Sequence, residues 1–127
     1  MTAANKEKRS RILVVDDEPD IVIILGEFLS KEGFKVFTAH TGAQALEKVK
    51  NEQVHLVLLD IAMPGMDGIA ALKEIKKLKP EMNVIMITAY RDAEKVVNAF
   101  RLGAFDCVFK PIDFKYLRNS IFAKLLE

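Results

Sequence analysis

The chain has 127 residues, half of them hydrophobic and 29% charged, which suits one globular core and excludes a disordered chain. Nineteen Lys and Arg against eighteen Asp and Glu leave a formal net charge of +1, without the basic excess of a nucleic-acid binder or a polybasic membrane anchor. The single cysteine, Cys107, excludes an internal disulfide and suits a reducing compartment; with two widely separated histidines, His40 and His55, it also excludes a Cys₂His₂-type zinc site.

In chain order, Met1 to Ser10 reads as a polar, lysine-bearing extension with no signal-peptide apolar run behind it. The first strand is predicted at Ile12-Leu13-Val14-Val15. A helix follows, with Pro19 at a first helical position behind Asp17-Glu18 and Gly33 at its left-handed end. The longest apolar run, Ile21 to Leu25, is far too short to cross a membrane, so a cytoplasmic location is expected. The second strand is Lys35-Val36-Phe37-Thr38, and Thr41 with Gln44 three residues on forms a capping box for the next helix. Leu56-Val57-Leu58-Leu59 is continuously apolar, as suits a strand buried on both faces of a parallel sheet. Helical spacing places Ile69, Leu72, Ile75 and Leu78 on one stripe of Gly68 to Leu78. After the strand Val84-Ile85-Met86-Ile87, the segment Asp92 to Leu102 carries the stripe Ala93, Val96, Val97 and Phe100 and ends at Gly103. The last strand is Phe105 to Phe109. The last helix runs from Asp113, its cap, to Leu125, with Phe114, Leu117, Ile121 and Leu125 in line. Five β-α alternations predict a single α/β sandwich around a parallel sheet.

In such a sheet, ligands bind at the carboxyl ends of the strands. Those ends carry Asp16, Asp17 and Glu18, then Asp60, Thr88 and Lys110. Carboxylates crowded on a shallow rim need a cation, and hard oxygen donors suit Mg²⁺. An aspartate oxygen beside Mg²⁺ and an ammonium is a plausible nucleophile toward phosphorus. Each residue also has a plainer reading. The three acids suit the positive end of the following helix, Asp60 suits a turn, Thr88 a strand, and Lys110 a solvated strand end. The functional case rests on their joint placement.

Ile12-Leu13-Val14-Val15-Asp16-Asp17-Glu18, Leu58-Leu59-Asp60-Ile61-Ala62-Met63-Pro64-Gly65-Met66-Asp67-Gly68, Ile87-Thr88-Ala89, Gly103-Ala104-Phe105-Asp106 and Lys110-Pro111 together resemble the receiver domain of two-component response regulators. The resemblance implies a flavodoxin-like (βα)₅ three-layer sandwich with strand order 2-1-3-4-5, and a receiver domain over residues 11–127. It implies that Asp60 accepts a phosphoryl group from a sensor histidine kinase or a histidine phosphotransfer protein. It further implies Mg²⁺ held by Asp16, Asp17, Asp60 and the Ala62 backbone carbonyl, with Thr88 as switch hydroxyl, Lys110 as phosphoryl-binding lysine, and a cis bond before Pro111. The face made by the fourth helix, fifth strand and fifth helix is expected to meet an output domain, a partner protein or, after phosphorylation, a second copy. Direct nucleic-acid and membrane binding are not expected.

One position departs from the family. Cys107 stands where an aromatic side chain often swings inward, and reads most simply as a small buried hydrophobe. Tyr90 is the nearest aromatic to take some of that role. Ala62 has no polar atom to orient a water, and Tyr90 is bulky, so slow self-dephosphorylation is expected. An aspartyl-phosphate hydrolase fits less well, because Ala62 stands where its general acid would be. A nucleotide or flavin domain would place phosphate against Asp16-Asp17-Glu18, which would repel it. A receiver-like module that is not phosphorylated would not need the full set of acids, Thr88 and Lys110.

Overall fold

A computed structural model describes residues 9–89 and 93–125 of the chain. The polar extension therefore lies almost wholly outside the described residues, and Tyr90 and Asp92 lie outside them too. Five strands alternate with five helices: β1 (Arg11–Val15), α1 (Pro19–Lys31), β2 (Lys35–Ala39), α2 (Gly42–Asn51), β3 (Leu56–Asp60), α3 (Gly68–Leu78), β4 (Asn83–Thr88), α4 (Ala93–Arg101), β5 (Asp106–Phe109) and α5 (Phe114–Leu125). All strand pairs are parallel, in the order β2-β1-β3-β4-β5. The chain steps from β1 outward to β2, then returns past β1 to β3. The crevice where the order reverses opens at the carboxyl ends of β1 and β3.

Strand alternation divides the core in two. Ile12, Val14, Leu56, Leu58, Ile85 and Ile87 point to one face, where Val22, Leu25 and Leu29 of α1 and Leu117 and Ile121 of α5 cover them. Leu13, Val15, Val57, Leu59, Val84 and Met86 point to the other, under Ala45 and Val49 of α2, Leu72 and Ile75 of α3 and Ala99 of α4. Both faces of β1, β3 and β4 are thus dry, which explains their unbroken apolar runs.

The helix ends follow local chemistry. Pro19 begins α1, and Gly33 and Gly103 have positive φ of 97° and 106°. The Thr41 hydroxyl accepts from the Gln44 N–H, while the Gln44 side chain accepts from His40 rather than from Thr41 itself. Asp113 accepts from the Tyr116 N–H at the start of α5. Asp67 caps α3 by accepting from Ala70, a cap the apolar pattern did not single out.

One sequence expectation is displaced. The stripe Ala93, Val96, Val97 and Phe100 does not form the buried side of α4: Val97 and Phe100 are each 45% exposed, and Ala99 is the fully buried residue. Periodicity identifies a helix but not its rotation about its own axis. The small Ala99 is the residue α4 buries against the core, and the larger apolar side chains turn outward.

Two glycines give a paired test. A Cβ on Gly68 would lie 1.9 Å from the Asp60 carbonyl oxygen, so α3 begins pressed against the end of β3. Gly26, inside α1, has nothing within 4 Å. Gly68→Ala should lose about 3 kcal/mol in urea unfolding through backbone overlap, whereas Gly26→Ala should gain about 1 kcal/mol from helix propensity.

Candidate functional site

Four strand ends build the site. Asp16 follows β1, Asp60 ends β3, Thr88 ends β4 and Lys110 follows β5. The Asp16 N–H donates to the Ala39 carbonyl and the Lys110 N–H to the Thr88 carbonyl, which extends the sheet's register by one residue at two places. Asp16, Asp60 and Thr88 are buried, while Asp17 and Glu18 lie further out on the same rim. Carboxylate oxygens of Asp16, Asp17, Glu18 and Asp60 lie within 4.8 Å of one another.

Lys110 is the cation among them. Its Nζ lies 2.8 Å from Asp16 Oδ2, 3.1 Å from Glu18 Oε1 and 3.3 Å from Asp60 Oδ2. The second oxygen of each buried acid is held by the backbone: Asp16 Oδ1 accepts from the Glu18 N–H at 2.9 Å, and Asp60 Oδ1 from the Ala62 N–H at 3.2 Å. The loop after β3 is held in turn, since the Gly68 N–H donates to the Ile61 carbonyl at 2.7 Å. The Lys110-Pro111 peptide bond is cis.

This electrostatic arrangement leaves the carboxylates short of positive charge. Burial first, and the Asp16 charge second, push the Asp60 carboxyl up to about 6, against the lowering effects of Lys110 and the Ala62 N–H. Burial alone would lower the Lys110 ammonium; its hydrogen bond to Asp16, the Asp60 charge and its bond to Glu18 reverse that and raise it. Burial dominates the Asp60 shift, whereas the carboxylates around Lys110 produce its net rise. That donor set is made of hard oxygens on an open rim, which fits a divalent cation of the Mg²⁺ type, with Asp16, Asp17 and Asp60 the residues placed to hold it.

Cys107 lies on β5 beside Met86, half-buried against the core. Burial, then the Asp106 charge, raises its thiol, so it stays protonated at neutral pH and inert. Ala62 is exposed at the rim. Two features went unread in the sequence. Glu18, noted only as a rim acid, bonds Lys110 directly. The Asp106 carboxylate ties β5 to α5 by accepting from the Tyr116 hydroxyl at 2.9 Å and the Ser120 hydroxyl at 2.6 Å. The run Asp16-Asp17-Glu18 was the available signal for the first. The second joins residues ten and fourteen apart across a turn, which no local pattern marks.

A parallel five-stranded α/β domain in this strand order, with an acidic crevice and an opposed lysine at its switch point, has the flavodoxin-like architecture of receiver domains. The response regulator receiver domain profile matches residues 12–122, and the chain belongs to that family. It is 41% identical to the sporulation initiation phosphotransferase F of Bacillus subtilis, over 87% of this chain and 90% of that protein. It is 46% identical to the transcriptional regulatory protein ZraR of Escherichia coli over 87% of this chain, and spans a quarter of that relative's length. Among solved structures, a CheY-like receiver domain protein of Methanospirillum hungatei superposes with a TM-score of 0.90 at 36% identity, over 93% of this chain and 94% of that one. The response regulator TrrA of Thermotoga maritima, in complex with Mg²⁺-BeF, gives 0.84 at 38% identity, over 91% and 99%. The chain is thus a regulatory signalling domain of two-component response regulators. No described helix is long and apolar enough to cross a membrane.

The raised Asp60 carboxyl has a stability consequence. Its unfolded value is 3.8 and its folded value about 6, so its contribution is fully present below pH 3.8 and is lost as pH rises through 6. Without divalent cation, Asp60→Asn should therefore exceed the wild type by about 1–3 kcal/mol at neutral pH, with the gap closing in acid. Urea unfolding in chelator across this pH range measures it.

Proposed function

We propose that the chain is a phosphorylation-dependent switch of a two-component or phosphorelay system, in which Asp60 accepts a phosphoryl group from a sensor histidine kinase or a histidine phosphotransfer protein. The observation that carries this reading is the buried Asp60 carboxylate, placed between the Ala62 N–H and the Lys110 ammonium and beside three further acids. An Asp60 oxygen attacks phosphorus, the bond from phosphorus to the donor nitrogen breaks, and its electron pair stays on the imidazole. Lys110 neutralises charge on the transferring oxygens, and the Thr88 hydroxyl, one strand away, bonds one of them. Asp17, Asp60 and the Ala62 carbonyl would hold Mg²⁺ directly, with Asp16 reaching it through water. When bound, the ion offsets the repulsion between these acids and the incoming phosphoryl group.

The receiver unit is taken as residues 11–127, behind a polar extension of residues 1–10, and its location as the cytoplasm. The response passes through Thr88 and Lys110 to the face of α4, β5 and α5. Exposed Val97, Phe100 and Tyr116 support that face as the contact for an output domain, a partner protein or a second copy, rather than for nucleic acid or membrane. The small, half-buried Cys107 supports a packing role in place of an aromatic swing. Beyond its own phosphotransfer, the domain catalyses only slow loss of the phosphoryl group.

Acetyl phosphate with Mg²⁺ should add one phosphoryl group to the wild type, read as intact mass, and none to Asp60→Asn, whose amide is too poor a nucleophile. Equal labelling of both would reject Asp60 as the acceptor.

Hydrolysis needs a water in line with the Asp60–phosphorus bond, and the exposed Ala62 side chain offers that water no polar atom. Ala62→Asn should speed decay of the purified phosphoprotein by about threefold to tenfold by giving the water a hydrogen-bond partner. Tyr90, expected to shield the same approach, lies outside the described residues; Tyr90→Ala should also speed decay.

A further inference from the structure

We propose that Glu18 is a positioning residue: it holds one hydrogen of the Lys110 ammonium at the mouth of the site, and an oxygen of the incoming phosphoryl group displaces it. The inference rests on the reading of Asp60 as acceptor and adds to it what controls access to Lys110.

An ammonium has three hydrogens to donate. Lys110 Nζ already faces three carboxylate oxygens, from Asp16, Glu18 and Asp60, at 2.8, 3.1 and 3.3 Å. With its side chain only 12% exposed, the lysine has little room to turn elsewhere. A phosphoryl oxygen can therefore reach the ammonium only by taking the place of one of these partners.

The three partners are unequal. The Asp16 and Asp60 side chains are 2% and 4% exposed, and each has its other oxygen pinned by a backbone N–H, from Glu18 and Ala62. The Glu18 side chain is 61% exposed, and among the described residues its carboxylate bonds Lys110 alone. Asp16 and Asp60 are fixed inside the rim by backbone N–H groups and would stay in place on the metal side of the site, whereas the exposed Glu18 exchanges its partner for solvent at little cost. Glu18 is therefore the partner that yields.

Two effects follow, both acting on the donor. Until it is displaced, Glu18 occupies the hydrogen that points toward the mouth. Its charge at the rim also opposes an anion on approach, more strongly for a dianion such as acetyl phosphate than for the less charged phosphoramidate. The competing assignment makes Glu18 a metal ligand, since its oxygen lies within 4.8 Å of those of Asp16, Asp17 and Asp60. The two assignments predict opposite signs.

The test compares wild type, Glu18→Gln and Glu18→Asp at saturating Mg²⁺. Phosphorylation rates are followed by intact mass with acetyl phosphate and with phosphoramidate, and Mg²⁺ affinity is measured separately by calorimetry without donor. Glu18→Gln should accelerate labelling by acetyl phosphate by about threefold to fivefold, and labelling by phosphoramidate by less, with Mg²⁺ affinity lowered by no more than about twofold through the lost surface charge. Glu18→Asp keeps the charge but draws it back from Lys110, and should still accelerate labelling by about twofold. An unchanged or slower rate in Glu18→Gln overturns the proposal, as does wild-type behaviour of Glu18→Asp. A loss of Mg²⁺ affinity of about tenfold or more in Glu18→Gln would overturn the proposal and place Glu18 on the metal instead. If the wild type takes no phosphoryl group from either donor, the acceptor reading fails, and this inference falls with it; labelling of the wild type without the Glu18 effect overturns this inference alone.

Discussion

Repulsion among Asp16, Asp17, Glu18 and Asp60 is the constraint around which this molecule is arranged, and the Lys110 ammonium is what answers it. Two of these acids are buried, where an ionised carboxylate is costly unless paired. One cation cannot satisfy four anions. Burial together with the Asp16 charge raises the Asp60 carboxyl, the surrounding acids raise the Lys110 ammonium, and the rim fits further positive charge.

Holding like charges together needs a rigid frame, and the sheet supplies it. β1, β3 and β4 are dry on both faces, so their ends cannot move apart without exposing core. The strand order brings β1 and β3 side by side, which puts Asp16 and Asp60 in one crevice. β5, next to β4 at the sheet's edge, delivers Lys110 from one strand further out. Gly68 completes the frame: only the absence of a Cβ lets α3 start against the Asp60 carbonyl. Holding the buried Asp60 carboxylate beside Asp16 therefore costs stability.

The edge away from β2 is built differently. α4 contributes one fully buried residue, Ala99, and turns Val97 and Phe100 outward, while α5 is tied to β5 through Asp106, Tyr116 and Ser120. Such a helix is held by little buried surface. Cys107 sits between these parts as a half-buried, protonated thiol, too small to carry motion by a ring swing.

Much of this was legible in the residues alone. Continuous apolar runs at Leu56–Leu59 and Val84–Ile87 identified strands buried on both faces, and caps at Thr41 and Asp113 and glycines at 33 and 103 marked helix ends, because these signals are local. The acids, Thr88 and Lys110 could be named because strand ends are where a parallel sheet presents its chemistry. Strand order came from a family likeness rather than from any local pattern. The rotation of α4, the close approach at Gly68, the Asp106 link to α5 and the bond from Glu18 to Lys110 were decided by tertiary structure. The last of these joins residues 92 apart in the chain. Sequence determines which side chains stand at the strand ends, since periodicity and turn chemistry act over a few residues. Which of those side chains meet, and at what distance, depends on how separate elements pack, because only packing brings charges so distant in the chain within a hydrogen bond of each other.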